Sequence, residues 1–286
     1  PLPMRLTVKI GVYQIEERDI PVERMCDRAF IAAGSIKGMY AEKIVFYNNA
    51  MREKMLFEQK ILDTMVEALE QGQFQIHLQP KVRVNTEEVV GAEALVRWEH
   101  PELGLLSPAD FLPVFERNGF IYSLDLYVWH KVCSAMQRWR QMGGADIPVA
   151  VNVSRMDIYH GDLPSLFTEL VKDYGLEPKN LHLEITESAY ISDSRQLLLV
   201  VEQLRKTGFV VEMDDFGSGY SSLNMLSELP VDVLKLDLKF LRTGTDAGRR
   251  HRIMQAVIDL AHTLHLLVIA EGVETKEESL LLEEMG

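Results

Sequence analysis

Residues 181–216, LHLEITESAYISDSRQLLLVVEQLRKTGFVVEMDDF, read as a strand, a helix and a second strand. LHLEIT and VVEMDDF are mostly apolar, and SRQLLLVVEQLRKTG between them is the crossover, so the two strands are expected to pair in parallel. Each strand also carries acid at or near its C-terminal end, Glu184 in the first and Asp214-Asp215 in the second. Adjacent strand residues point to opposite faces. Both aspartates can serve one site only if the chain is leaving the strand there, which the following Phe216-Gly217-Ser218-Gly219 permits.

The same unit repeats on both sides of this stretch. From Gln73 the order is FQIHLQPKV, VVGAEALVRWE, a helix from about Pro108, a longer helix from about Ser123 to Met142, PVAVNVS and the helix LPSLFTELVKDYG. After VVEMDDF come a short helix, VDVLKLD, a helix through GRRHRIMQAVIDLAHTL, LLVIAEGV and a last helix KEESLLLEEM. Five strands end in an acid or amide: Glu93, Asn152, Glu184, Asp214-Asp215 and Glu271. A period of two puts Gly91, Glu93 and Leu95 on one side, and likewise Ala150, Asn152 and Ser154. A carboxylate inside a sheet is costly to desolvate without a cation or other partner. Several converging carboxylates repel one another, and a divalent metal is the simplest remedy. Taken singly, each acid could be a surface or strand-end residue; their repeated placement asks for a common cause. An open doubly wound sheet gathers its site at one switch point, whereas a barrel builds it from many strands at their C-terminal face. The spread of acids therefore favours an α/β barrel of the (β/α)8 type.

At 286 residues with 47% hydrophobic content, the chain can bury a sizeable core. No apolar run reaches the roughly 18 residues of a membrane span, and no signal-peptide pattern opens the chain, so the expected location is cytoplasmic, within the cytoplasmic part of a membrane-attached protein if the chain is a piece of one. Cys26 and Cys133 lie far apart without CxxC spacing, which argues for reduced thiols and against structural zinc. A formal charge of -13 argues against a nucleic-acid polymer as partner, but not against a small phosphate ligand met by cations and a few arginines.

Residues 1–48 have a different pattern: a strand RLTVKIGVYQI, an amphipathic helix PVERMCDRAFIAAGSIKG and a strand EKIVFYN. The segment that follows, 49–72, carries Met51, Met55, Leu62, Met65 and Leu69 at helical spacing and reads as a connecting helix, its methionines packing rather than ligating. Residues 73–286 then form the barrel region.

Gly91-Ala92-Glu93-Ala94-Leu95 with Arg97-Trp98, preceded by Gln79-Pro80, resembles the signature of EAL-domain phosphodiesterases. The resemblance continues through Asn152-Val153-Ser154, Glu184-Ile185-Thr186-Glu187-Ser188, the run Asp214 to Leu223, Lys235-Leu236-Asp237 and Ala270-Glu271-Gly272-Val273-Glu274. It implies hydrolysis of cyclic di-GMP to linear pGpG in a modified barrel whose first strand is antiparallel, with two Mg²⁺ or Mn²⁺ ions per site. Carried over by position, Glu93, Asn152, Glu184 and Asp214 hold one metal, and Asp214 with Asp215, near Glu271, serves the second. Lys235 orients or deprotonates the attacking water, with a salt bridge to a neighbouring carboxylate as the competing reading. Arg97 holds a phosphate, Gln79 contacts substrate, Asp237 supports the site, and Glu187 fixes the loop after Asp214-Asp215. That loop, GSGYSSL, lacks both the phosphate-loop and the GxSxG spacing; the resemblance makes it a link to a homodimer surface. Arg249-Arg250-His251-Arg252 reads as an exposed helix face, and the histidines as packing or surface residues.

Val8 to Val12 and Asp27-Arg28-Ala29 are similar to the C-terminal part of a GGDEF domain. The EAL pattern continues past Gly286 with one more strand and a Gln-Gly-Tyr segment. The expectation is a fragment of a tandem GGDEF-EAL protein whose barrel lacks its final strand. A non-catalytic EAL module that binds cyclic di-GMP or a protein partner is the alternative, and another two-metal barrel hydrolase a third. The complete set of ligand positions together with Lys235 favours the enzyme.

Overall fold

A computed structural model describes residues 8–16, 19–37, 43–192, 194–216, 226, 228–238 and 247–286. The chain divides into two compact units, Pro1–Gln71 and Gly72–Gly286. The helix expected to connect two regions thus belongs with the first.

In the first unit, β1 (Ile10–Val12) and β2 (Ile44–Phe46) pair in parallel, with Ile10 opposite Ile44. Helix α1 (Val22–Ser35) packs so closely on β1 that a Cβ on Gly11 would fall 1.9 Å from the Ala29 carbonyl oxygen, a position only glycine can hold. Helix α2 (Asn49–Glu70) starts at Asn48, whose side chain accepts from the Met51 amide at 3.1 Å. The strand expected over residues 5–15 is confined to Ile10–Val12 among the described residues. Phe30, Ile44 and Phe46 are exposed.

The second unit opens with an antiparallel pair, β3 (Phe74–Val82) and β4 (Val89–His100), as the resemblance implied. A three-residue strand, β5 (Gly104–Leu106), folds back on the end of β4. Then come helices α3 (Pro108–Asn118) and α4 (Ile121–Gln141), β6 (Val149–Val153), and helices α5 (Arg155–Tyr159) and α6 (Leu163–Asp173). They are followed by β7 (Leu181–Thr186), α7 (Glu187–Ser192), α8 (Ser194–Thr207), β8 (Val210–Phe216), β9 (Val233–Asp237), α9 (Ala247–Thr263), β10 (Leu267–Glu271) and α10 (Lys276–Glu284). Hydrogen-bonded neighbours run β10-β9-β8-β7-β6-β4-β3, parallel throughout except for β3–β4; among the described residues no strand joins β10 to β3.

The alternation read in the sequence sorts the two faces. Leu181, Leu183 and Ile185 of β7, with Val211 and Met213 of β8, are fully buried on the outer face beneath the helices. Phe74 and Trp98 stack there at 5.0 Å and meet Phe111 and Phe115 of α3, an aromatic cluster that anchors the β3–β4 pair. Glu93, Asn152, Glu184, Glu212, Asp214, Lys235 and Glu271 occupy the alternate positions. Glu93 on β4 and Lys235 on β9 are separated by three strands, so a flat sheet would hold them about 19 Å apart. Their side chains meet at 3.1 Å, which requires the sheet to curl into an open barrel with a polar interior.

Candidate active site

Lys235 stands at the centre of that interior with 1% of its side chain exposed. Its Nζ lies 3.1 Å from Glu93 Oε2, 3.1 Å from Glu184 Oε2, 3.0 Å from Asp214 Oδ1 and 2.8 Å from Glu271 Oε1. Burial alone would push the ammonium towards its neutral form, but the negative charges of Glu184, Asp214, Glu93 and Glu271 prevail and hold its pKa far above the ordinary lysine value. The four contacts are those of the salt-bridge reading.

Burial pushes Glu184 up to about 8, although Lys235 and Lys81 both pull it down. Burial likewise raises Glu271 against the pull of Lys235. Although Glu184 Oε2 is within ion-pair distance of Lys235, it makes no hydrogen bond of proper geometry, so one oxygen of a fully buried carboxylate is left without a donor.

Of the two aspartates expected in one site, Asp214 faces Lys235. Asp215 adopts φ 57°, and the β8–β9 register slips between Met213 and Phe216, a bulge that turns the second aspartate away from the strand's alternation. Burial and the charge of Asp214 raise the Asp215 pKa, with Asp237 and Glu187 contributing in the same direction. Glu187, the first residue of α7, is buried rather than a solvated loop acid. The loop it was expected to fix, 217–225, lies outside the described residues, as does the short helix expected there.

The other expected residues fall around this centre. Gln79 pairs with Glu93 across the β3–β4 ladder and is exposed. Arg97, four residues nearer the C-terminal end of β4 than Glu93, donates through Nη1 to the Val96 carbonyl at 2.8 Å. Asp237 pairs with Glu271 between β9 and β10. Asn152 is exposed, and its carbonyl accepts from Trp129 Nε1 at 3.0 Å, which ties β6 to α4. Arg249, His251 and Arg252 are exposed on α9, as expected for a helix face.

Sequence reasoning missed a layer beneath the acids. Lys81 donates to Glu184 Oε1 at 2.9 Å and to Glu212 Oε2 at 2.6 Å, and His182 Nδ1 lies 2.7 Å from Glu212 Oε1. Although burial opposes it, the His182 hydrogen bond and the Lys81 charge hold Glu212 down to about 2. His182 is thus not a packing residue. Glu212 and His182 precede Asp214 and Glu184 by two, so the alternation already placed them on the inner face.

Also missed was a pair of acids behind β6. Asp125 of α4 and Asp157 of α5 are both buried and close, and each has an oxygen without a donor, as two carboxylates must. Burial and then the charge of Asp157 push the Asp125 pKa well above its ordinary value. Asp157 accepts from the Ser154 amide at 2.6 Å, two residues after Asn152.

Metal was expected here. Among the described residues no three acids or histidines stand ready-made in coordinating geometry, since four carboxylates turn to the ammonium. The donor set fits a hard divalent cation nevertheless: it is all oxygen, acids outnumber bases, and Glu184 Oε2 lacks a hydrogen bond.

An open α/β barrel with carboxylates at the C-terminal ends of its strands defines a barrel domain whose functional face is that end. The chain belongs to the EAL domain family, whose pattern matches residues 62–286. It is 36% identical over 241 residues to the bifunctional diguanylate cyclase/cyclic di-GMP phosphodiesterase MucR of Pseudomonas aeruginosa, covering 84% of this chain and 35% of that protein. To the cyclic di-GMP phosphodiesterase PdeR of Escherichia coli it is 37% identical over 232 residues, 81% of this chain and 35% of that one. A solved structure, the PaMucR phosphodiesterase in its c-di-GMP complex, matches with a TM-score of 0.74 at 38% identity, over 79% of this chain and 92% of that one. The chain spans about a third of the length of these curated relatives. EAL phosphodiesterases are in general metal-dependent. No described helix is long and apolar enough to cross a membrane.

Proposed function

We propose that this chain hydrolyses cyclic di-GMP to linear pGpG by metal-assisted attack of water on a phosphodiester. The observation that carries this reading is the convergence of Glu93, Glu184, Asp214 and Glu271 on Lys235 at the C-terminal face of the barrel. Glu93, Asn152, Glu184, Asp214 and Asp215 would hold two Mg²⁺ or Mn²⁺ ions, with Glu271 beside them. Two such ions, when bound, acidify a water and offset charge on the phosphate. Lys235, held as an ammonium, donates hydrogen bonds and so orients the attacking water. The fork of donors on Arg97 suits a phosphate oxygen pair once it leaves the Val96 carbonyl. Gln79, level with Glu93, would contact the same substrate, and Asp237 and Glu187 add acid near Asp215.

The test is incubation of the protein with cyclic di-GMP and Mn²⁺, following pGpG; no conversion under metal saturation overturns the reading. The four-acid cage around Lys235 is balanced in part without metal, which favours a binding-only module as the second reading. Binding of cyclic di-GMP in Ca²⁺ without turnover in Mn²⁺ would select it. We propose further that the first unit is the C-terminal part of a GGDEF-like domain, supported by its parallel strand pair and exposed apolar residues, that the barrel unit dimerises with a second copy, and that it works in the cytoplasm.

A further inference from the structure

Glu184 is the most deeply buried acid of the site, and its two oxygens face different cations. Oε2 looks towards Lys235, and Oε1 accepts from Lys81 at 2.9 Å. Lys81 comes from β3, where Gly91 of β4 faces it in the ladder, and reaches across the curled sheet to β7 and β8; a Cβ on Gly91 would sit 3.8 Å from Lys81 Cδ. Lys81 is itself held by Glu212 at 2.6 Å, and Glu212 by His182 at 2.7 Å. Glu212 has 1% of its side chain exposed and Lys81 12%, so water competes little for these contacts.

We propose that Lys81 is a positioning residue for the metal-assisted reaction: it clamps Oε1 of Glu184, with Glu212 and His182 fixing the clamp, so that Glu184 turns its other oxygen to the site. A carboxylate free to rotate would offer either oxygen or both, and would lose orientation each time a cation bound. Orientation and simple charge predict opposite outcomes. As a mere positive charge near the site, Lys81 repels a divalent cation, and its removal should tighten metal binding. As a clamp, its removal should weaken binding, by about 10–100-fold on the usual scale for groups that orient metal ligands.

The inference rests on the metal-assisted reading, and calorimetry separates the two. Mn²⁺ is titrated into the wild-type chain and into Lys81→Met, Lys81→Arg and the double variant Lys81→Met/Glu212→Gln, with cyclic di-GMP hydrolysis measured alongside. The expected result is weaker Mn²⁺ binding by Lys81→Met, partial recovery in Lys81→Arg, and a fall in kcat that saturating Mn²⁺ partly restores while KM for cyclic di-GMP holds. If Lys81→Met unfolds because Glu212 keeps only His182 as partner, the double variant removes that charge and should fold yet remain weak for Mn²⁺. Unchanged or tighter Mn²⁺ binding in whichever variant folds, with wild-type hydrolysis intact, overturns the clamp alone. A wild-type chain that binds no Mn²⁺ overturns both readings.

Discussion

The Asp215 amide donates to Asp214 Oδ1 at 2.9 Å while Asp215 itself sits at φ 57°. The left-handed turn costs about 1 kcal/mol or more for a residue with a Cβ. It takes Asp215 out of the strand's alternation, and the amide fixes which oxygen of Asp214 faces Lys235.

Asp214→Ala should reduce cyclic di-GMP turnover in Mn²⁺ by more than about a hundredfold, since even groups that only orient a metal ligand are worth about 10–100-fold. Glu93→Ala should follow it, and both should keep the wild-type circular dichroism spectrum because the barrel is held by its outer face. Near wild-type turnover by the purified Asp214→Ala protein would refute the ligand assignment.

Lys235→Ala should lower kcat by about a hundredfold or more if the ammonium orients water. Binding of cyclic di-GMP in Ca²⁺ should change little, because the lysine touches acids rather than substrate. An unaltered kcat would leave Lys235 as a charge partner only.

Mn²⁺ at a hundredfold excess over its dissociation constant should stabilise the folded chain by about 2.7 kcal/mol per site. For a unit of this size that is a rise in Tm of about 5–10 °C, reversed by EDTA. A Tm that ignores Mn²⁺ would show that the carboxylates stay on Lys235.

The Asp125–Asp157 pair predicts a pH effect away from the metal ligands. Glu116, His160 and Ser154 are the other groups that act on it. Since the folded chain raises the Asp125 pKa, the folded state binds a proton that the unfolded state releases near pH 4. Stability from this group is present below that pH and is lost as pH climbs through the raised value. Asp125→Asn keeps a donor towards Asp157 and does not titrate, so its Tm should gain on the wild type as pH rises above about 4. A gap that is flat or shrinks as pH rises from there would disprove the raised Asp125 pKa.

Cys133 is buried, and its thiol is pushed up to about 12, whereas Cys26 is exposed. A thiol reagent should therefore modify one cysteine in the native chain and the second only in denaturant. Two fast-reacting thiols in the native chain would contradict the packing of α4.

The strands with acidic ends were legible because each is a mostly apolar run with a polar residue at or near its end, and β4, β6, β7, β8 and β10 fall where that pattern put them. β5 escaped notice because three residues carry no period. The Asp214-Asp215 bulge was foreseen from the alternation it had to break. Lys81 was not, since its role depends on which residue faces it across the curl, a fact of register that no single strand carries. Asp125 lies on the buried stripe of α4 beside Leu124, Val128 and Trp129, and an acid on an apolar stripe was a signal that could have been read.

The irregularity at the foot of the β3–β4 hairpin, between Lys81 and Val82, divides the hairpin into two regions. Above it, Gln79 stays level with Glu93 and Lys81 with Gly91; below it, the turn closes through the Arg83 and Glu88 backbone at 2.9 Å and the left-handed Glu87. A slip of one residue above this point would face Pro80 and Val82 into the charged interior and turn Lys81 out to the helices. A change of length in the turn would fall below the irregularity, which leaves the pairing above it in register. The turn can drift in sequence and size while the residues that face Glu184 keep their height.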